Sequence, residues 1–142
     1  LAITNLAASV KNHEYFVKEG MLPLLISLSN APDPQVRQYA AYALAKVAQN
    51  ADVRKQVTDE GGVEPVLYLS RTDEPEIKRE VLPALCTLSF SEQNKADIAR
   101  NGGLEPIINA LRDSNVQTAR MANCALANLA ELVGNMERIV DA

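Results

Sequence analysis

The stretch EGGVEPVLYLS at residues 60–70 returns 41 positions later as NGGLEPIINAL at 101–111, and its counterpart 41 positions earlier is EGMLPLLISLS at 19–29. No insertion or deletion interrupts the spacing, so Gly20, Gly61 and Gly102 coincide, as do Ala43, Ala84 and Ala125. Ile3, Leu44, Leu85 and Leu126 come next in the same phase, and Leu6, Val47, Leu88 and Leu129 stand three positions further on. Phe16, Val57, Ile98 and Ile139 carry the phase to the end. A fixed period of this length marks a chain that stacks one supersecondary unit on the next, each burying its apolar face against its neighbours.

Within one unit the apolar positions recur at helical spacing, and the punctuation divides them into three helices. Residues 52–59 and 93–100 predict a short first helix stopped at Gly61 and Gly102, because a residue without Cβ takes the left-handed conformation that closes a helix. A second helix starts from Leu22, Val63 and Leu104. The third and longest follows Asn30-Ala31-Pro32-Asp33-Pro34, where Asp33 suits the N-cap and Pro34 the first helical position, which needs no N–H. Pro75 after Glu74 repeats that signal and Ser114 with Asn115 replaces it, and these helices run to about Ala48, Ser89 and Ala130. Pro83 falls in the middle of one of them, which predicts a kink or break near Arg79 to Leu82.

The scarce residue types exclude a good deal of chemistry. The 142 residues hold no Trp, one His, two Cys and 4% aromatics. A Ser-His-Asp triad would have to use His13, and a zinc site would draw on one histidine and two distant cysteines with no C-x-x-C. No catalytic residue, metal ligand or cofactor is therefore expected. With 14 basic against 18 acidic residues the net charge is −4, which argues against nucleic acid as a partner. No stretch has the length and apolarity of a membrane span and Leu1 opens no signal pattern, so direct membrane contact is not expected either. Two thiols without a cysteine framework favour a reducing compartment, the cytoplasm or the nucleus.

The Gly-Gly-Val-Glu-Pro and Gly-Gly-Leu-Glu-Pro turns, the segment PQVRQYAAYALA from Pro34, and ANCALANLA from Ala122 to Ala130 resemble the armadillo repeat, and the resemblance covers the whole chain. HEAT repeats use two helices per unit, and the short Gly-terminated first helix tips the choice. The resemblance implies an all-α fold, a right-handed armadillo-repeat α-solenoid. In that reading 1–9 is the third helix of a partial repeat, 10–50, 51–91 and 92–132 are full repeats, and 133–142 is the first helix of another. The chain is then expected to be a section of a longer array, able to oligomerise only through its uncapped ends.

In armadillo proteins the third helices line a concave groove, and an Asn on each binds the backbone of an extended peptide. Carried onto the pattern Ala-Leu-x-Asn-Leu-Ala, that ladder falls at Asn5, Lys46, Thr87 and Asn128. An amide offers both donor and acceptor, so it holds an extended residue whatever its side chain. One turn earlier, where the family often has Trp, stand Leu1, Tyr42, Pro83 and Cys124. The aromatic array of importin-α-like recognition is thus missing.

Seven residues before the ladder, on the same azimuth, lie Tyr39, Glu80 and Met121, beside a stripe of Gln38, Arg79 and Arg120. Lys46, Arg79 and Arg120 make the groove locally basic, as in β-catenin-like members that accept acidic extended segments. Phe90 and Tyr42 read either as exposed anchors or as fillers between third helices, and Glu131 adds an acid. Register places His13 with Arg54 and Lys95 on the solvent side of the first helix, Cys86 in the core, and Cys124 in the groove as an apolar filler or a reactive thiol. The implied function is a non-enzymatic scaffold or adaptor that holds an extended or helical segment of a partner protein. Two alternatives stay open: a nuclear-import or cargo receptor, and a structural subunit of a ciliary, cytoskeletal or membrane-tethered assembly.

Overall fold

The computed structural model of the chain describes residues 2–141, without the side chains of Ile3, Val133, Met136 and Arg138. Leu1 and the Ile3 side chain, both part of the repeat register, lie outside the described residues. Among the described residues there are eleven helices and no strand. The short first helices of the units are α2 (Val10–Lys18), α5 (Arg54–Asp59), α8 (Glu92–Arg100) and α11 (Val133–Asp141). The second helices are α3 (Met21–Leu28), α6 (Val63–Ser70) and α9 (Leu104–Ala110). The third are α1 (Ala2–Ala7), α4 (Pro34–Ala48), α7 (Pro75–Leu88) and α10 (Val116–Ala130). No helix among the described residues is long and apolar enough to cross a membrane.

Capping chemistry sets the boundaries. Asp33 accepts hydrogen bonds from the Gln35 and Val36 N–H groups at 2.8 and 3.1 Å, and Asn115 accepts from the Thr118 N–H at 3.0 Å. Glu74 at the equivalent place makes no such bond, and there Pro75 alone marks the start. Gly61 and Gly102 take φ of 83° and 81°, the left-handed turn that ends α5 and α8.

The third helices contact one another in chain order, and each second helix lies on the third helix of its own unit. One continuous core fills the space between the two layers. On α4 the alanines 40, 41, 43, 45 and 48 are all buried, which lets neighbouring helices approach closely, while Leu44, Leu85 and Leu129 fill the gaps and are fully buried. Burying such a leucine contributes roughly 1.5–3 kcal/mol relative to leaving it in water.

A second seam joins each third helix to the short helix that follows. Asn12, Asn94 and Asn135 donate through Nδ2 to the carbonyls of Leu6, Leu88 and Leu129 at 2.9, 3.0 and 3.1 Å, a second and shorter bond to helix-end acceptors whose backbone donors, three residues on, stand at 3.2–3.4 Å. Val53 takes the place of Asn in the second unit. The neighbouring register corrects a sequence expectation, for His13 and Lys95 do not face solvent and each is only 3% exposed. The short helix crosses the end of the preceding third helix, so this position looks back onto carbonyls and forward onto the next unit. His13 Nε2 sits 2.7 Å from the Ala7 carbonyl oxygen, and Arg54 Nη1 donates to the Thr87 carbonyl at 3.3 Å.

Pro83 does not break its helix, and α7 continues from Pro75 to Leu88. The carbonyl that loses its donor belongs to Arg79, an exposed residue with access to water. The next carbonyl, of Glu80, gains an outside donor, Nε2 of Gln49 just past the end of α4, at 2.9 Å. Exchanging Pro83 for Ala restores the missing bond, and because water reaches the freed Arg79 carbonyl the expected gain is about 1–2 kcal/mol, well below the ~3 kcal/mol of a helical proline whose carbonyl is left dry. A urea titration showing no gain in Pro83→Ala would mean that the proline sits there without cost.

Candidate functional site

The four third helices present the open face on which the sequence places the ladder. Asn5 is exposed, whereas the other rungs are held from within the protein. Lys46 Nζ lies 2.9 Å from Glu80 Oε1 and 5.1 Å from the Tyr42 ring centroid. Thr87 Oγ1 reaches the carbonyls of Pro83 and Gln49 at 3.0 and 3.3 Å. Asn128 Nδ2 donates to Ser89 Oγ at 2.9 Å, at the end of the preceding third helix. Rungs tied to neighbouring units in this way already have partners, so a bound segment uses the donors and acceptors they leave over or exchanges for those partners.

A cleft of about 340 Å³ opens between α1, α4 and α7, lined among others by Asn5, Tyr39, Tyr42, Glu74 and Glu76. Tyr39 is exposed and Tyr42 half-buried. Gln38 Nε2 donates to Glu74 Oε1 at 3.2 Å and fixes one acidic wall. Burial, and then the neighbouring Glu80 carboxylate, push the Tyr42 phenol above its ordinary pKa, with Lys46 pulling the other way. Sequence reasoning missed Glu74, Glu76 and Gln49; they lie on or beside helix ends, outside the stripe that the ladder defines.

Further along, Arg79 and Arg120 are exposed, and among the described residues neither stands in an ion pair. Glu80 turns to Lys46 and Gln49 instead of Arg79. Met121 is half-buried against the core. Phe90 is exposed, with the Arg54 guanidinium 5.6 Å from its ring centroid. Glu131 points back to Lys95, whose ammonium it meets at 2.7 Å, with Glu92 at 2.6 Å.

The expectation of two free thiols is corrected, since Cys86 and Cys124 are joined in a disulfide. Their separation of 38 residues, three short of the 41-residue period, sets them facing across α7 and α10 with Cα atoms 5.7 Å apart. The bond also removes the ground on which a reducing compartment was expected.

Lys95 gives the site margin a pH dependence. The hydrogen bond to Glu131, then that to Glu92, holds its ammonium above the usual lysine range. A folded-state pKa raised in this way contributes stability that is fully present below the unfolded value, about 10.4, and is lost as pH rises through the folded one. The stability margin of the protein over Glu131→Gln, measured by thermal melts, is expected to be constant from pH 7 to about 9 and to shrink above about 10.5. A margin that does not change with pH would deny the pair its role.

Comparison with known proteins places this geometry. No curated protein matches the chain by sequence. A HEAT-repeat family profile matches residues 21–51. Among solved structures, an engineered protein superposes with a TM-score of 0.73 at 26% identity, over 99% of this chain and 58% of its own. Computationally designed armadillo repeat proteins for modular peptide recognition superpose at 0.77 with 18% identity, over 99% of this chain and 60% of theirs. A designed armadillo repeat protein solved in complex with the peptide (KR)4 gives 0.73 at 19% identity, again over 99% and 60%. The chain thus spans three fifths or less of these structures. Helices phased in triplets, left-handed glycines closing the short first helix, and third helices stacked into one open layer agree with these superpositions: in fold the chain is an armadillo-like repeat solenoid.

Proposed function

We propose that the third-helix face holds an extended segment of a partner protein and that the chain acts as a non-enzymatic scaffold or adaptor. One observation carries this reading, the cleft into which α1, α4 and α7 all send side chains. A recess shared by three successive units suits a ligand running across them. Tyrosines supply rigid contact area at low entropic cost. Charge then divides the groove. Glu74 and Glu76 beside the two tyrosines suit a lysine or arginine side chain, and the exposed Arg79 and Arg120 suit a carboxylate further on. The acidic partner suggested by three basic residues becomes a segment of mixed charge, because Lys46 is already neutralised by Glu80.

Fluorescence anisotropy with three labelled peptides tests this: (KR)4, an all-acidic peptide of the same length, and one with a basic half and an acidic half. The mixed peptide is expected to bind tightest, and the double variant Tyr39→Ala, Tyr42→Ala to weaken it by roughly tenfold with unchanged far-UV circular dichroism. Tight binding of (KR)4 alone, lost on Glu74→Gln with Glu76→Gln, would replace the adaptor by an import-like or cargo-receptor reading, which the acidic cleft favours as the runner-up. Equal weak binding of all three peptides would remove the groove from consideration.

A further inference from the structure

The disulfide between α7 and α10 is not a property of the repeat. Positions equivalent to Cys86 hold Thr4, Ala45 and Ala127, and positions equivalent to Cys124 hold Leu1, Tyr42 and Pro83. Alanine fills the core at 45 without sulfur, so packing alone does not call for a cysteine at 86. The two residues also differ in exposure. Cys86 is 7% exposed and packs within the core, while Cys124 is half-buried on the open face. One turn beyond Cys124, Asn128 Nδ2 lies 4.0 Å from its sulfur and donates to Ser89 Oγ. The ladder rung and the sulfur pair therefore share one set of contacts.

We propose that Cys86 and Cys124 form a thiol–disulfide exchange site that switches the α7–α10 portion of the groove. Oxidised, the pair fixes the spacing of two adjacent third helices and keeps Asn128 on Ser89. Reduced, it frees that spacing and releases Asn128 to a bound segment. The consequence for binding rests on the groove reading above; the chemistry does not. A small dithiol serves as reductant. Its thiolate attacks Sγ of Cys124, the more exposed residue, and forms a mixed disulfide, while the bond to Cys86 breaks and its electron pair leaves on Cys86 Sγ, which takes up a proton. The second thiol of the reductant then displaces Cys124 as a thiolate, which is protonated, and the reductant departs as a cyclic disulfide. An oxidised dithiol runs the same steps in reverse.

The purified protein is equilibrated in glutathione buffers of graded poise, trapped with iodoacetamide and read by peptide mass spectrometry. The 86–124 link is expected in the oxidising buffers. In the single variants, Cys86→Ala should accumulate a glutathione adduct on Cys124 roughly tenfold faster than Cys124→Ala does on Cys86. The Asn128 side-chain amide resonances should move when the native protein is reduced and stay fixed when Cys86→Ala is treated in the same way. Absence of the link at every poise, equal adduct formation on the two cysteines, or an unmoved Asn128 signal in the native protein would each overturn the proposal. Loss of peptide binding with all three results intact counts against the groove reading alone.

Discussion

Replacing Leu85 with Ala is expected to lower the unfolding free energy by about 3–5 kcal/mol, at the upper end of what a buried leucine costs. Leu85 is fully buried on α7, which is packed against α4, α6 and α10 at once. Three neighbours leave little freedom to collapse into the vacated volume. The damage should also spread, because a solenoid is coupled only through nearest neighbours and α7 is the middle link. A urea titration followed by far-UV circular dichroism should show a lower midpoint and a shallower transition, as the two halves begin to unfold apart. Leu126→Ala at the same register provides the control. That residue is half-buried on α10, and about 1–2 kcal/mol is expected for it. Equal losses at both positions would show that the stack is not coupled through its centre.

The second large effect is at a glycine, and not the one its backbone angle suggests. Gly102 has φ of 81°, but a Cβ there meets nothing closer than an Arg71 guanidinium nitrogen at 3.5 Å, so Gly102→Ala carries only the left-handed strain, about 1–2 kcal/mol. Gly103 has an ordinary φ of −74°, yet a Cβ there would stand 2.6 Å from Ile98 Cγ2 and 2.8 Å from both the Ile98 carbonyl oxygen and Leu67 Cδ2. The same carbonyl accepts the Gly103 N–H at 2.8 Å, so relief of the clash lengthens the bond that closes α8. Gly103→Ala is expected to cost about 2–4 kcal/mol, more than its neighbour, through overpacking together with a weakened hydrogen bond. Thermal melts of the two variants decide the order. If Gly102→Ala melts lower, the close approach of α8 to the α9 start is not what fixes the second glycine.

Most of the fold was legible because its signals are local. The 41-residue register, the glycine stops and the Asp33 and Pro34 start are all read within a turn or two of the residue concerned. The features that stayed hidden depend on contacts between units. His13 and Lys95 read as solvent-facing on an isolated helix, and only the crossing of that helix over a third-helix end buries them. Pro83 predicts a kink or break when its helix is taken alone; the donor that covers the next carbonyl comes from Gln49, 34 positions away at the end of another helix. The same holds for the site. Azimuth on one helix selects Tyr39, Tyr42 and Lys46, but Glu74 and Glu76 enter the cleft from the start of the neighbouring helix and share no stripe with them. The ladder pattern names Asn128 without showing that it is already held by Ser89.

The disulfide also changes what the array is mechanically. A unit of 41 residues, once unravelled, gives up roughly 140 Å of chain, so a stack joined end to end can lengthen under tension one unit at a time. A covalent bridge spanning 38 residues withholds about 130 Å of that slack and carries the pull directly from α7 to α10, leaving α8 and α9 slack. One stretch of the rod is then an extensible tether and the next a short inextensible strut, and the boundary between the two lies at Cys86.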